Sequence, residues 1–225
     1  TINNNENKIK ELYCNAINCC KTQYKLQFML HKPVPVNVLI CVSGIMARGH
    51  DVCPATLKKV LINKYKVYGC NIDIVCFNNV CKDLDGTTCD ETINYYKKCK
   101  QFNWIQDDID NNIITKNIYK SICLIDLSSK QKINICRQMY CDIKAIEYIK
   151  KNQHKWDIVN LVNPDFAYDT TKPFDIMQIG KIIKNNCVGV PTWWSSSSRN
   201  NVNNPGIANG VLIGSPTTII NIINN

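Results

Sequence analysis

The sequence predicts an α/β fold with a mainly parallel central sheet flanked by helices. Three runs are apolar at nearly every position: VNVLICVSG, NIDIVCFNN and KWDIVNLVNPD. Such runs are typical of parallel strands buried on both faces. Segments with helical periodicity separate them, and this alternation is typical of crossover units in a parallel sheet. The 225 residues are enough for one domain with a core, so we predict a single domain over 1–225.

The first half of the chain gives most of these elements in order. We expect a helix from about Asn5 to Phe28, which the prolines of HKPVPV end, so residues 1–35 form a helical extension. The first strand ends at Gly44, and ATLKKVLINKYK then has helical periodicity. After the strand NIDIVCFNN, the segment CDETINYYKKCKQF is predicted to be helical. The stretch from NWIQDD to SICLIDL gives no clear pattern.

The second half repeats the alternation. SSKQKINICRQMYCDIKAIEYIKKNQHK predicts a long helix or a helix pair, because apolar residues recur at three- and four-residue steps. The strand KWDIVNLVNPD and the helix FDIMQIGKIIKNN follow it. CVGVPTWW is predicted to be a strand before a polar loop, and GVLIGSP a short strand. Pro216 suits the first turn of a last helix.

Composition limits the function classes. The net charge is +9, but only three of the 27 basic residues are arginines, so a nucleic-acid binder is disfavoured and most lysines are expected on solvated helix faces. We expect no transmembrane segment and no leader. The fourteen cysteines contain no C-x-x-C, so we expect mostly reduced, packed thiols in a cytosol-like compartment, with some disulfides as the alternative.

The turns that follow the strands are the places where ligands of such sheets bind, so VSGIMARGH, FNNV, VNPDFAY and the approach to GIANG are the segments of interest. Gly44 permits a sharp turn with free backbone N–H groups, and Arg48 could hold a phosphate. The alternative is a plain turn with a surface arginine.

The segment VNPDFAYD places a carboxylate at the sheet edge, because Pro164 cannot continue a central strand. Asp165, with the amide oxygen of Asn163 beside it, could hold a divalent ion that neutralises a diphosphate, and Asp169 is a further candidate. The alternative is that Asp165 caps the next turn.

The late loop offers groups suited to sugars. Trp193 and Trp194 could stack on sugar rings, Asn209 could hydrogen-bond hydroxyls, and Gly210 allows close backbone approach. The alternative is one core and one surface tryptophan. The three histidines and the serines form no motif of a catalytic site.

Several of these segments together resemble GT-A-type glycosyltransferase-like proteins of viruses and of bacterial surface-polysaccharide clusters. ICVSGIMARGH resembles their opening strand and loop, and NIDIVCFNN their second strand. ICRQMYCDIKAIEYIKKNQHKWDIVNLVNPDF is similar to their helix and strand ending in Arg-Pro-Asp, and GIANGVLIGSP to a later element with Gly-Ser. The resemblance spans roughly residues 36–220.

The resemblance implies a Rossmann-like GT-A fold, a nucleotide-diphosphate-sugar donor and a divalent metal, manganese or magnesium. It implies that Ser43, Gly44 and Arg48 contact the nucleotide and that Asp165 binds the metal. Asn209 and Gly210 would line the sugar or acceptor pocket. The chain departs from the pattern, since Asn163 replaces the arginine before Pro-Asp and Gly210 replaces an aspartate. It also ends where relatives often continue, so we expect truncation at the C-terminus.

We therefore expect a metal-assisted glycosyltransferase that moves a sugar to a hydroxyl of a glycan or glycoprotein, with Asp169 or Asp175 as base. We expect it in the cytoplasm, which for a viral protein means the host cytoplasm or viral factory. The alternative is a catalytically silent GT-A-like module that binds glycans or another protein, such as a module associated with a virion. A nucleotidyltransferase and a nucleic-acid binder stay open as weaker alternatives.

Overall fold

A computed structural model of the chain describes residues 26–27, 29–31, 35–48, 52–81, 90–115, 129–168, 170, 175–189 and 211–224. The predicted α/β architecture is confirmed, because a five-stranded, mostly parallel sheet lies between layers of helices. Within the described ranges, no helix is both long and apolar enough to cross a membrane.

The strands are arranged in the order β3-β2-β1-β4-β5. Their bounds are β1 Asn37–Gly44, β2 Asn71–Val80, β3 Lys100–Ile105, β4 Ile158–Val162 and β5 Val211–Gly214. The first four strands pair in parallel, with Val38 of β1 opposite Ile72 of β2 and Ile158 of β4. β5 runs antiparallel to β4. The carboxyl ends of β1 to β4 therefore share one edge of the sheet.

Helices connect the strands. Their bounds are α1 Val52–Leu57, α2 Asn63–Val67, α3 Asp90–Lys97, α4 Gln106–Thr115, α5 Ser129–Asn152, α6 Ile176–Lys184 and α7 Pro216–Asn224. A π-helical turn, Lys58–Ile62, joins α1 to α2, and 3-10 turns occupy Met46–Arg48 and Gln153–Lys155.

Two hydrophobic layers cover the sheet. On one face, side chains of β1 and β4 pack against α1, α2, α3 and α6; among them are Val38, Ile40, Leu57, Tyr65, Tyr96, Ile158 and Ile179. On the other face, alternate residues of the same strands pack against α5 and α7; among them are Leu39, Cys41, Ala145, Ile149, Val159 and Ile219. α4 rests on the first half of α5, where Ile109 contacts Cys136 and Tyr140. Both faces of β1 and β4 are therefore buried, as their continuous apolar sequences predict.

One polar side chain lies in the centre of this core. Asn160 of β4 is fully buried. Its Oδ1 accepts a hydrogen bond from the Tyr65 hydroxyl at 3.2 Å, and its Nδ2 donates to the Leu39 carbonyl at 3.4 Å. Both ends of the amide are thus engaged, which removes most of the cost of burying it.

The strands predicted from apolar runs and the helices predicted from helical periodicity are confirmed where the structure describes them. The segments VNVLICVSG, NIDIVCFNN, KWDIVNLVNPD and GVLIGSP contain β1, β2, β4 and β5. The segment that allowed a helix or a helix pair forms one helix, α5, and Pro216 opens α7. Most of the predicted helix 5–28 lies outside the described residues. So does most of CVGVPTWW, in which Gly189 makes an isolated bridge to Ile213.

The expectation for CDETINYYKKCKQF is wrong at its end. The helix stops at Lys97, and KQFNWI forms the strand β3. The Phe102 and Trp104 rings stack on Phe77 of β2, with centroids 5.1 and 5.7 Å away. Contacts distant in sequence therefore override the helical pattern of the preceding residues.

Nine of the cysteines lie in the described part, all as free thiols, and six of these are buried: Cys41, Cys53, Cys70, Cys76, Cys136 and Cys141. A buried thiol packs as a small hydrophobe, which is the role we expected for those within apolar runs.

Candidate functional site

A concave feature of the described surface, lined by polar and apolar residues, lies where the strand order reverses. From β1 the chain passes to β2 and β3 on one side, and it returns to β4 on the other. In open α/β sheets ligands bind beyond the carboxyl ends of the strands at such a position. A crevice of about 380 Å³, including its open mouth, lies there. Its lining consists of Gly44, Ile45, Asn79, Asn134, Arg137, Gln138, Cys141, Pro164 and Asp165.

Gly44 forms the turn at the end of β1. Its φ is +133°, a conformation that L side chains rarely adopt. A Cβ at this position would lie 2.9 Å from Gln138 Oε1 and 3.0 Å from Pro164 Cδ. A glycine is therefore required for both backbone conformation and space, and the predicted sharp turn is present.

The turn that follows is fixed by β2. The Met46 amide donates to Asn78 Oδ1 at 3.1 Å, and Asn78 Nδ2 donates to Asn103 Oδ1 of β3 at 3.0 Å. Arg48 ends the 3-10 turn that begins at Met46, and its side chain is outside the described part.

Gln138 of α5 joins the two walls of the crevice. Its Nε2 lies 3.2 Å from the Ser43 carbonyl of β1, 3.2 Å from Asn163 Oδ1 after β4, and 3.0 Å from Asp142 Oδ1. Asp142 is almost fully buried. The sequence-predicted residues Ser43 and Asn163 are thus brought together, but behind the lining of the crevice, around Gln138.

Asp165 lies on the lining, at the corner of the turn after β4. The Phe166 amide donates to the Asn163 carbonyl at 3.3 Å, and the buried Phe166 ring anchors the turn in the core. Asp165 itself is exposed, and in the described part of the chain no hydrogen bond or ion pair engages its carboxylate. The turn therefore presents a carboxylate to the crevice.

Arg137 contributes the only basic side chain of this lining, and it is already paired. Its Nε and Nη2 donate to the two carboxylate oxygens of Asp110 at 2.9 and 2.8 Å, and its Nη1 donates to Asn134 at 3.0 Å. The Gln106 amide oxygen, in the orientation that satisfies both groups, accepts from Nη2 at 2.6 Å. The hydrogen bonds that Arg137 donates to Asp110 raise the pKa of Arg137 further above its ordinary value. Arg137 therefore fastens α4 to α5, and its charge is locally neutralised.

Two buried polar atoms, one at the end of β1 and one at the end of β2, have no hydrogen-bond partner among the described residues. Asn79 is 2% exposed and lines the crevice, and its Oδ1 makes no hydrogen bond. Ser43 is fully buried beside it in β1, and its Oγ is likewise unpartnered. An unsatisfied buried acceptor costs about 1–3 kcal/mol. At Asn79, which lines the crevice, a ligand or ordered water would supply the missing hydrogen bond.

The thiol on the lining is not a nucleophile. Burial, and then the nearby Asp142 carboxylate, raise the pKa of Cys141 to about 12. The thiolate is the reactive form, so Cys141 stays protonated and inert near neutral pH.

The crevice fits a divalent cation only in part. Asp165 is the one unpaired carboxylate on its described lining, and the Asn163 amide oxygen already faces Gln138. Within the described ranges no three His, Cys, Asp or Glu side chains are grouped as a metal site. Magnesium-like ions are commonly held by one or two carboxylates together with substrate phosphates. The residues present therefore fit a cation that arrives with a phosphate ligand, and not a preformed protein cage.

Of the remaining predicted site residues, none has a described side chain in the crevice. Asp169, Trp193, Trp194, Asn209 and Gly210 lie outside the described residues. Asp175, named as a possible base, caps α6, because its carboxylate accepts from the Met177 and Gln178 amides.

Sequence reasoning did not single out Asn79, Arg137 or Gln138. Asn79 was within reach, because FNNV was among the strand ends of interest and the alternation of a strand sends Asn78 and Asn79 to opposite faces. Arg137 and Gln138 lie within the helix segment that carried the family resemblance, but only packing shows which side of α5 faces the sheet edge.

Comparison with known proteins gives one structural similarity. No protein-family model matches the chain, and no curated protein matches it. Among solved structures, it is similar to the crystal structure of mouse xyloside xylosyltransferase 1 in its apo form, with 8% sequence identity and a TM-score of 0.41. The similarity covers 83% of this chain and 69% of that one.

Proposed function

We propose that the chain is a glycosyltransferase that binds a nucleotide-diphosphate-sugar in the crevice between β1 and β4 and transfers the sugar to a hydroxyl acceptor. The observation that carries the proposal is that three features occur together at the point where the strand order reverses. In the described part of the chain, a turn that requires glycine, a buried Asn79 Oδ1 without a hydrogen-bond partner and an unpaired Asp165 carboxylate line the same crevice. The family resemblance of the segments that form this crevice agrees with it.

The charges of the crevice favour metal assistance. Arg137 is neutralised by Asp110, so the Asp165 carboxylate leaves the described lining with a net negative charge. A diphosphate would be repelled there unless a cation accompanied it. We assign Asp165 as the protein ligand of a manganese or magnesium ion shared with the diphosphate, with the second lone pair of the Asn163 amide oxygen as a further ligand. When bound, the ion would supply the positive charge that stabilises the departing diphosphate.

The residues of this chain would then act by binding and orientation. The turn at Gly44 gives the donor close access to the backbone, and Asn79 Oδ1 would accept a hydrogen bond from it. In the transfer, the bond between the sugar anomeric carbon and the diphosphate oxygen breaks, and the acceptor oxygen bonds to that carbon. The acceptor proton passes to a base, for which Asp169 is the candidate on sequence position alone.

A thermal-shift experiment tests the proposal. UDP- and GDP-sugars are added with and without manganese to the wild type, to Asp165→Asn, and to Asp108→Asn as a control for removing an exposed carboxylate outside the crevice. A ligand at a hundred times its dissociation constant stabilises the native state by about 2.7 kcal/mol. We expect manganese-dependent stabilisation in the wild type and the control, but not in Asp165→Asn, and hydrolysis or transfer of the same donor.

The alternative is a catalytically silent GT-A-like module that binds glycans or another protein, such as one associated with a virion. The engagement of Asn163 by Gln138 and the single free carboxylate of the described lining favour it. No response to any nucleotide, combined with retention on immobilised glycans, would support this alternative over the enzyme.

A further inference from the structure

The Gln138 amide contacts more acceptors than it can satisfy at once. Its Nε2 lies within 3.2 Å of the Ser43 carbonyl, Asn163 Oδ1 and Asp142 Oδ1. An amide nitrogen carries two hydrogens, so three acceptors share two hydrogen bonds. Carboxylates are the stronger acceptors, so Asp142 should keep one hydrogen. The Ser43 carbonyl and Asn163 Oδ1 then compete for the other.

The side chain is held in this place by packing. Gln138 Oε1 lies against Gly44, only 2.9 Å from the position a Cβ would take, and the Pro164 ring closes the same space. Gln138 therefore lies between the turn after β1 and the turn after β4. Neither turn can shift relative to the other without displacing the Gln138 side chain.

The competition links Gln138 to the proposed cation position. Asn163 precedes Asp165 by two residues in the turn after β4, and its Oδ1 is free of a hydrogen whenever Gln138 donates to Ser43. A cation held at Asp165 would attract that oxygen. The second hydrogen of Gln138 would then move fully to the Ser43 carbonyl, and this would fix the end of β1 against α5.

We infer that Gln138 is a positioning residue of the crevice, which ties the end of β1 to the turn after β4 and exchanges its hydrogen bond with Asn163 for one with Ser43 when a cation-bound ligand enters. The exchange of hydrogen bonds rests on the proposed function. The connection that Gln138 makes between the end of β1 and the turn after β4, called the tie below, does not.

Hydrogen exchange tests the tie without any ligand. Gln138→Met keeps the length of the side chain and removes both donors, and Gln178→Met on the exposed side of α6 is the matched control. Amides of residues 43–46, of Asn163 and of residues 165–166 should exchange about tenfold faster in Gln138→Met, the change expected for a lost hydrogen bond of ordinary strength. Amides in the centre of β2 and all amides of the control should be unchanged. Unchanged exchange in both turns of Gln138→Met overturns the inference.

A double-mutant cycle tests the exchange. Asn163→Ala removes the competing acceptor from the other wall and provides a second variant if Gln138→Met does not fold. Without ligand, Gln138→Met and Asn163→Ala should be non-additive by at least about twofold in the unfolding equilibrium constant, because the two residues are in contact. With manganese and UDP as the probe, and with manganese binding followed by electron paramagnetic resonance, this coupling should disappear.

The outcomes separate the two proposals. If manganese and UDP bind the wild type and the coupling persists unchanged, the exchange is wrong and the proposed function stands. If the wild type binds neither UDP- nor GDP-sugars with manganese, the proposed function and the exchange are both wrong. In that case faster exchange in the two turns of Gln138→Met would still support the tie.

Discussion

Two buried asparagines should respond to the same substitution with opposite signs. Asn79→Leu replaces an amide whose Oδ1 has no partner among the described residues by an apolar side chain of similar shape. The unsatisfied acceptor costs about 1–3 kcal/mol, so its removal should raise the free energy of unfolding by about 1 kcal/mol or more. If Asn79 binds the donor, the same variant should lose its response to nucleotide sugars. Greater stability with lost binding is typical of functional sites.

Asn160→Leu is the matched control. Asn160 is buried to the same degree, but its Oδ1 accepts from the Tyr65 hydroxyl. Tyr65 is fully buried, so the substitution removes a buried hydrogen bond that its hydroxyl donates and should lower the free energy of unfolding by about 1–3 kcal/mol.

Urea denaturation of the two variants and the wild type measures both effects, provided that the slopes are equal. The midpoint should rise for Asn79→Leu and fall for Asn160→Leu. A fall of similar size in both variants would refute the reasoning, because it would mean that Asn79 has partners in the folded chain. A stabilised Asn79→Leu that still binds nucleotide sugars would refute only its role in binding.

Three further outcomes follow from described contacts. Gly44→Ala should lower the urea midpoint by the equivalent of about 1–3 kcal/mol, because its φ of +133° strains any side chain; an unchanged midpoint would contradict the strain. Asp175→Ala should cost about 0.5–2 kcal/mol through the lost cap of α6, which thermal unfolding would detect, whereas Asp175→Asn should retain most of the cap. A hydrogen bond with Cys76 lowers the pKa of Cys99 to about 7. Its thiolate is therefore populated as pH rises through 7, and alkylation of Cys99 by iodoacetamide, followed by peptide mass spectrometry, should accelerate over that range and then level off. In Cys76→Ala the acceleration should shift to higher pH.

The central strands could be predicted because burial on both faces leaves a continuous apolar sequence. β1 and β4 show this, and Gly44, Pro164 and Asp165 could be expected together because parallel strands end at the same edge. β3 could not be predicted in the same way. Its sequence KQFNWI mixes polar and aromatic residues, and its place depends on the stacking of Phe102 and Trp104 on a strand distant in sequence.

The site was only partly predictable for a related reason. Residues in turns after strands are located by the topology alone, whereas residues of a 24-residue helix can face any direction. Gln138 and Arg137 are neighbours on α5, yet one joins the two strand ends and the other pairs with Asp110. Only the packing of α5 on the sheet decides this, and a single sequence does not report it.

The Asn160 amide affects which alignment of β4 with β1 forms during folding. Every residue of β4 is buried, so hydrophobicity hardly distinguishes the native alignment of β4 with β1 from shifted ones. A slip by one residue would turn Asn160 toward α5, and a slip by two would move it by about 6–7 Å from the Tyr65 hydroxyl. Either error would bury the Asn160 amide without its hydrogen bond to Tyr65. The amide therefore penalises mispaired intermediates during folding, a selective effect that an aliphatic residue at this position could not provide.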